Sequence, residues 1–224
     1  MVLFALILSR AQERKFDFGF SLFPNYSAGI ISNDGSVPNS VESGFQELET
    51  WKPSFSASIF VEYKLNKKSL LGLGMGYQNN GEKTKKIDLI FGANQIVDSS
   101  MPDEVRFVYN HHNLEIPLYY KYLFGKKFYA TMGTSGIVNV SNTASIIKYF
   151  EDGTKEKNTE EDNSTDFRRF NFSVNLGFGL NYLKTEKLAL FLHPYIQYGV
   201  LGISKSAALN RNFLSLGIST GIKI

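Results

Sequence analysis

The sequence predicts an all-β protein: an eight-stranded antiparallel up-and-down transmembrane β-barrel with short periplasmic turns and longer extracellular loops. Three observations carry this. Segments of about ten residues alternate large apolar with small or polar side chains from Phe16 to Ile224, and a period of two sends successive side chains to opposite faces of a strand. The second face is mostly Gly, Ser and Asn, where a soluble sheet would carry Lys, Glu, Thr and Arg. That composition suits the crowded interior of a narrow barrel whose apolar face looks into lipid. Finally, connections alternate short and long, as in barrels of the outer membrane.

The first strand, about 15–31, sets Phe16, Phe18, Phe20 and Leu22 against Asp17, Gly19 and Ser21, with Pro24 expected to bend or bulge it. Residues 32–50 read as a loop from their turn chemistry. The second strand, 51–64, sets Phe55, Ala57, Ile59, Val61 and Tyr63 against Ser54, Ser56, Ser58, Phe60 and Glu62, and turns tightly at 65–68. In the third, Leu71, Leu73, Met75 and Tyr77 alternate with Gly72, Gly74, Gly76 and Gln78. A long loop over 83–106 follows, with ribbon structure expected at 87–91.

The fourth strand, 107–124, points Leu114, Ile116, Leu118, Tyr120 and Tyr122 outward and Glu115, Pro117, Tyr119 and Lys121 inward, before a turn at 125–127. The fifth, 128–140, leads into a polar loop whose acidic run, 151–166, reads as solvated. The sixth, 167–183, is the clearest: Phe172, Val174, Leu176, Phe178 and Leu180 against Ser173, Asn175, Gly177 and Gly179. A turn at 184–187 leads to the seventh, 188–203, with Phe191, His193, Tyr195 and Gln197 inward. The eighth ends the chain with Leu214, Leu216, Ile218, Ile222 and Ile224 outward. Aromatics near strand ends predict two girdles: Tyr63, Tyr120, Tyr122, Phe124, Phe128 and Tyr182 at the short-turn side, and Trp51, Phe107, Tyr109, Phe167 and Phe170 at the other.

Composition narrows the classes. No run reaches the roughly 18 apolar residues of a membrane-spanning helix, so any span is made by a closed barrel. The chain has 19 Phe and 12 Tyr yet a net charge of only +3, with no basic cluster interleaved with aromatics, which argues against nucleic acid as a partner. Without cysteine there is no disulfide, thiolate site or lipid-modified cysteine. Residues 1–11 read as an export signal without a positive n-region, cut after Ala11, leaving one barrel domain over 12–224.

Candidate chemistry is sparse. His111 and His112, adjacent in a strand, face opposite ways and cannot chelate one ion together, and no ligand spacing is recognisable, so neither a metal nor a cofactor is expected. His193 with a serine and Glu62 or Glu115 could form a hydrolase constellation, but nothing selects the serine. The glycines at 72, 74 and 76 share one strand face and make room for large neighbours across a small lumen rather than cradling phosphate. Inward parity collects Asp17, Glu62, Lys64, Glu115, Lys121, Arg169, Arg211 and Lys223 in the lumen with Tyr119, His193 and Tyr195. An eight-stranded interior is just filled by side chains, so these groups must pair. The expectations are an ion pair or close approach of Asp17 and Lys223 at the periplasmic rim, and Glu115 bonded to an inward cation or hydroxyl, with Lys121, Arg169, Tyr119 and Tyr195 as candidates.

The segment Asn113-Leu114-Glu115-Ile116-Pro117-Leu118-Tyr119-Tyr120-Lys121-Tyr122, the glycine-alternating third and sixth strands, and the ending 215–224 resemble the small outer-membrane β-barrel family that includes the PorT-like proteins. The resemblance covers the chain after Gln12 and implies location in the outer membrane, contact with its lipid, and a secretion-accessory role beside envelope partners. Many such barrels end in Phe, whereas this chain ends in Ile224. The expected function is a monomeric, non-enzymatic structural or interaction role through extracellular loops or envelope proteins. A small-molecule or lipid-binding barrel and a membrane-embedded hydrolase remain as alternatives.

Overall fold

A computed structural model describes residues 15–91, 101–162, 164–185 and 188–224. The expected signal segment 1–11 lies outside the described residues. Twelve strands and one helix follow in order: β1 (Phe16–Asn33), α1 (Asn39–Leu48), β2 (Glu49–Thr50), β3 (Lys52–Lys64), β4 (Ser69–Asn80), β5 (Lys83–Thr84), β6 (Ile87–Asp88), β7 (Glu104–Phe124), β8 (Phe128–Tyr149), β9 (Lys155–Glu161), β10 (Phe170–Lys184), β11 (Ala189–Gly199) and β12 (Leu209–Lys223).

Eight of these close into a ring, each paired antiparallel with the next: β1, β3, β4, β7, β8, β10, β11 and β12. Closure comes from β1 on β12, in register from Gly19↔Lys223 to Asn33↔Leu209. A closed ring leaves no edge in hydrocarbon, which is what lets strands cross a bilayer. The apolar parity set faces outward and is exposed: Ile59 at 62%, Met132 at 59% and Leu176 at 57%. A belt of this kind is tolerated because lipid, not water, covers it. The inward set is small because rings need the space. A Cβ on Gly72 would fall on the Tyr119 ring and one on Gly179 on the Tyr129 ring.

Several expectations need correction. Pro24 makes no bulge: the register runs unshifted from Leu22↔Thr220 to Asn25↔Gly217 on one side and through Pro24↔Phe55 on the other. The missing N–H costs ladder pairs with β12 but inserts no residue. Shifts occur instead at His112/Asn113 in β7 and at Asn181/Leu183 in β10. The segment 32–50 is not all loop, since Val41, Phe45 and Leu48 give α1 a narrow apolar stripe at helical spacing, with Glu42 in its first turn and Gln46 bonded back to Glu42 at 3.0 Å. Asn33-Asp34-Gly35 and Pro38-Asn39, as turn signals, hid it.

The long strands β7 and β8 outrun the wall. They stay paired from Phe124↔Phe128 up to Glu104↔Tyr149, while β4 has already ended at Asn80, opposite His111. A turn at 150–154, in which Asp152 accepts from the Thr154 N–H at 2.8 Å, returns the chain as β9 along the outer end of β8. The acidic run 151–166 is therefore partly a strand. Of the ribbon expected at 87–91, β6 forms at Ile87–Asp88 against β7. The lower girdle is present, with Phe16 on Tyr63, Tyr122 on Phe124 and Phe128 on Phe178. In the upper one, Trp51 and Phe170 face outward, but Phe167 packs inward on His111 at 5.4 Å and Tyr109 shares the inward parity of His111.

Candidate functional site

Among the described residues the lumen is where the fold concentrates buried polar side chains. At its periplasmic end Glu62 of β3 is fully buried, its Oε1 accepting from the Lys121 ammonium and, at 3.0 Å, from the Tyr119 hydroxyl. Its Oε2 accepts from Lys223 at 3.1 Å. Lys121 also sits 4.4 Å over the Tyr129 ring. Three strands are thereby tied across the barrel by one carboxylate.

This arrangement differs from the expected rim pair. Asp17 lies directly opposite Glu62 in the β1–β3 ladder and bonds Lys64 at 2.9 Å, while Lys223, two residues short of Asp17 along the β1–β12 register, turns to Glu62. Glu115 also takes another partner than those expected: Gln197 donates to its Oε1 at 2.6 Å, and Gln197 further reaches Ser173 at 2.8 Å and Gln78 at 2.8 Å. Lys121 and Tyr119 are occupied by Glu62. Arg169 is exposed and outside the lumen, because the chain bends before β10 begins at Phe170 and the strand parity does not extend to it; Arg168 instead bonds the carbonyls of Gly202 at 3.1 Å and Ser204 at 3.3 Å.

His193 hangs in the middle of the lumen, its Nε2 2.8 Å from the Thr131 hydroxyl and its ring stacked between Tyr129 at 5.6 Å and Tyr195 at 6.4 Å. Among the described residues no hydrogen bond joins His193 to a serine or a carboxylate, so the hydrolase constellation is not assembled. The cavity beside it is about 100 Å³, walled by Phe23, Phe60, Pro117, Tyr119 and Tyr195 with Glu115. That is smaller than the roughly 150 Å³ apolar hole that takes up benzene. The cavity beside His193 is thus too small for benzene, let alone a lipid chain, in this conformation.

Toward the extracellular end a layer of amides lines the bore. Asn113 donates to Asn80 at 3.1 Å, Asn139 to Asn113 at 3.0 Å, and His111 Nδ1 to Asn142 at 2.7 Å. The Phe167 and Phe213 rings lie on His111, while His112, on the outer face, meets the Tyr77 hydroxyl at 2.6 Å. Above this layer Arg211 donates to Glu49 at 2.9 Å and lies 3.6 Å from Glu82, and Lys52 donates to Asn79 at 2.6 Å and Asn110 at 2.8 Å. Burial pushes the Glu82 carboxyl up to about 8, against the pull of Arg211. Sequence reading missed Glu49 and Glu82 because both lie in loop-like stretches with no alternation to assign them a face. No cluster of three or more His, Cys, Asp or Glu suited to a metal ion occurs among the described residues.

The family model described as "Outer membrane protein beta-barrel domain" matches residues 10–207. No curated protein matches the chain. Among solved structures it is similar to the attachment invasion locus protein Ail of Yersinia pestis, at 9% identity over 94% of this chain and 100% of that chain, TM-score 0.42. It is also similar to Neisserial surface protein A, at 12% identity over 92% of this chain and 96% of that chain, TM-score 0.40. A third is the outer membrane protease OmpT from Escherichia coli, at 10% identity over 95% and 97%, TM-score 0.42.

Proposed function

This chain belongs to the outer membrane protein beta-barrel domain family, and from that membership we propose that it is a monomeric, non-enzymatic surface anchor: a barrel with a sealed lumen that acts through its extracellular extension on envelope or cell-surface partners. The observation that carries this reading is the contrast between the two ends of the molecule's polar surface. Inside, the carboxylates Glu62 and Glu115 are consumed by cross-lumen bonds. Outside, β7, β8 and β9 stand beyond the rim as a sheet whose last strand, from Lys155 to Glu161, is exposed along its whole length. Lysines toward the start of β9 and glutamates at its end give that strand a polar, charged surface suited to protein contact, and such charges also guard the edge against indiscriminate pairing. Placement beside the PorT-like proteins, with a secretion-accessory role, is the finer form of the same proposal and rests on the segment Asn113 to Tyr122.

Two measurements test it. In planar bilayers the unmodified protein should give no stable porin-like current, and Glu115→Ala should not create one, because the Glu62 and asparagine layers still close both ends. Large steady conductance from the unmodified protein overturns the sealed lumen and puts transport first. In the second, tagged protein extracted from outer membranes should retain a defined envelope partner that is lost when 150–162 is replaced by a short Gly-Ser turn. An unchanged set of partners would place docking away from the extension.

A further inference from the structure

One sector of the wall is not sealed. The β1–β3 ladder stops at Ser27↔Lys52, while β1 continues up β12 to Asn33↔Leu209. On the other side of the stop the chain leaves β1: β2 pairs with β5, and β5 with β7. The wall thus forks above Ser27, whose hydroxyl sits in the crotch, donating to the Gly81 carbonyl at 2.7 Å and accepting from the Gly81 N–H at 3.1 Å. Between the two banks lies a cavity of about 330 Å³ lined by Ala28, Gly29, Ile30, Ile31, Trp51 and Leu214, with Gln46, Glu49 and Thr50 at its α1 end. Ala28, Ile30 and Leu214 carry the outward parity and Gly29 and Ile31 the inward one. Neighbours on a strand reach a common cavity only where the sheet beside them is missing.

We propose that this fork is a lateral binding slot for one acyl chain of an outer-leaflet lipid, whose polar end gives a hydrogen-bond donor to Glu49. The occupant follows from where the slot opens. Ile30 and Trp51, both exposed on the outer face, continue the lipid-covered belt upward from Tyr26, so acyl chains are the apolar matter in reach. Its volume is about twice that of the roughly 150 Å³ apolar cavity that holds benzene, enough for a chain segment. The polar end has its own signal: the Glu49 side chain is 9% exposed, Oε1 is taken by Arg211, and Oε2 is buried without a hydrogen-bond partner among the described residues. A buried carboxylate oxygen is costly to leave unpaired, and a lipid ammonium or hydroxyl supplies what it lacks. On the lumen side Arg211 of β12, bonded to Glu49 of β2, bridges the two banks and stops a chain from passing inward.

Trp51 is the single tryptophan of the chain, so its fluorescence reports the slot directly. The full chain is reconstituted in phosphatidylethanolamine vesicles containing lipid brominated either near the carboxyl end or near the methyl end of its acyl chain. An interfacial tryptophan in plain lipid contact is quenched by the first and hardly by the second. A chain lying in the fork keeps its tail within the cavity that Trp51 lines, so the second should quench as well as the first. Ala28→Phe, which fills the slot, should lose the methyl-end quenching and keep the other, and Leu214→Phe provides the same test from the β12 bank should the first variant fail to fold. Exchanging ethanolamine for choline, which has no N–H donor, should weaken the methyl-end quenching. Identical quenching profiles for the unmodified protein and a folded slot-filling variant would overturn the slot, and indifference to the headgroup would overturn the Glu49 contact.

Discussion

Glu62→Ala should lower the unfolding free energy of the barrel by about 3–5 kcal/mol, the usual cost of removing one partner from a buried ion pair. The side chain is fully buried, and its loss leaves the ammoniums of Lys121 and Lys223 facing each other beside the Tyr119, Tyr129 and Phe191 rings, with no carboxylate among the described residues bonded to them. Urea unfolding in detergent micelles, followed by the heat-modifiable electrophoretic shift, reads the change. Removing all three charges at once, as Glu62→Leu, Lys121→Met and Lys223→Met, should recover most of the loss, since an apolar replacement of a buried ion cluster is often neutral or stabilising. A loss under about 1 kcal/mol for Glu62→Ala, the range of exposed pairs, would mean that water reaches the cluster and that the periplasmic end is not closed by it.

Leu216→Arg should cost about 2–4 kcal/mol if its level is the bilayer midplane and less nearer an interface. Leu216 is in the middle of β12, 41% exposed, with Tyr26 and Ile196 beside it on the same outward face. Its neighbour Gly217 points the other way, where a Cβ would meet Asn25. Folding into lipid vesicles separates the lipid-facing reading from a generic effect of the substitution, with Thr159→Arg on β9 as the control. Thr159 is on the exposed β9 and should tolerate the change. Equal folding yields for the two variants would count against lipid covering the β12 face.

Much of the barrel was legible without coordinates because its signal is local. A strand's period of two needs no knowledge of the partner strand, so the outward set from Phe16 to Ile222, the inward Glu62, Lys121 and His193, the short turns at 65–68 and 125–127 and the opposite faces of His111 and His112 all follow from adjacent residues, while 186–187 of the third expected turn lie outside the described residues. Extensions beyond the membrane carry no such signal. β9, with Lys155, Glu156, Lys157 and Glu160 exposed, meets water on both faces and so lacks alternation, while α1 has a stripe of only Val41, Phe45 and Leu48.

Which inward group meets which is decided by tertiary structure. Parity places Asp17 and Lys223 on the same inner surface near the same rim, but the register of β1 on β12 sets Gly19 against Lys223, and that of β1 on β3 sets Asp17 against Glu62. A stagger of two residues reassigns both ion pairs. The same accumulation of registers around eight ladders brings Gln197 of β11 to Glu115 of β7, and a bend before Phe170 sends Arg169 out of the lumen. The fork above Ser27 exists only because β2 pairs with β5 instead of β1. Alternation along a chain determines the face of each side chain; stagger between strands, a property of the closed ring, determines its partner.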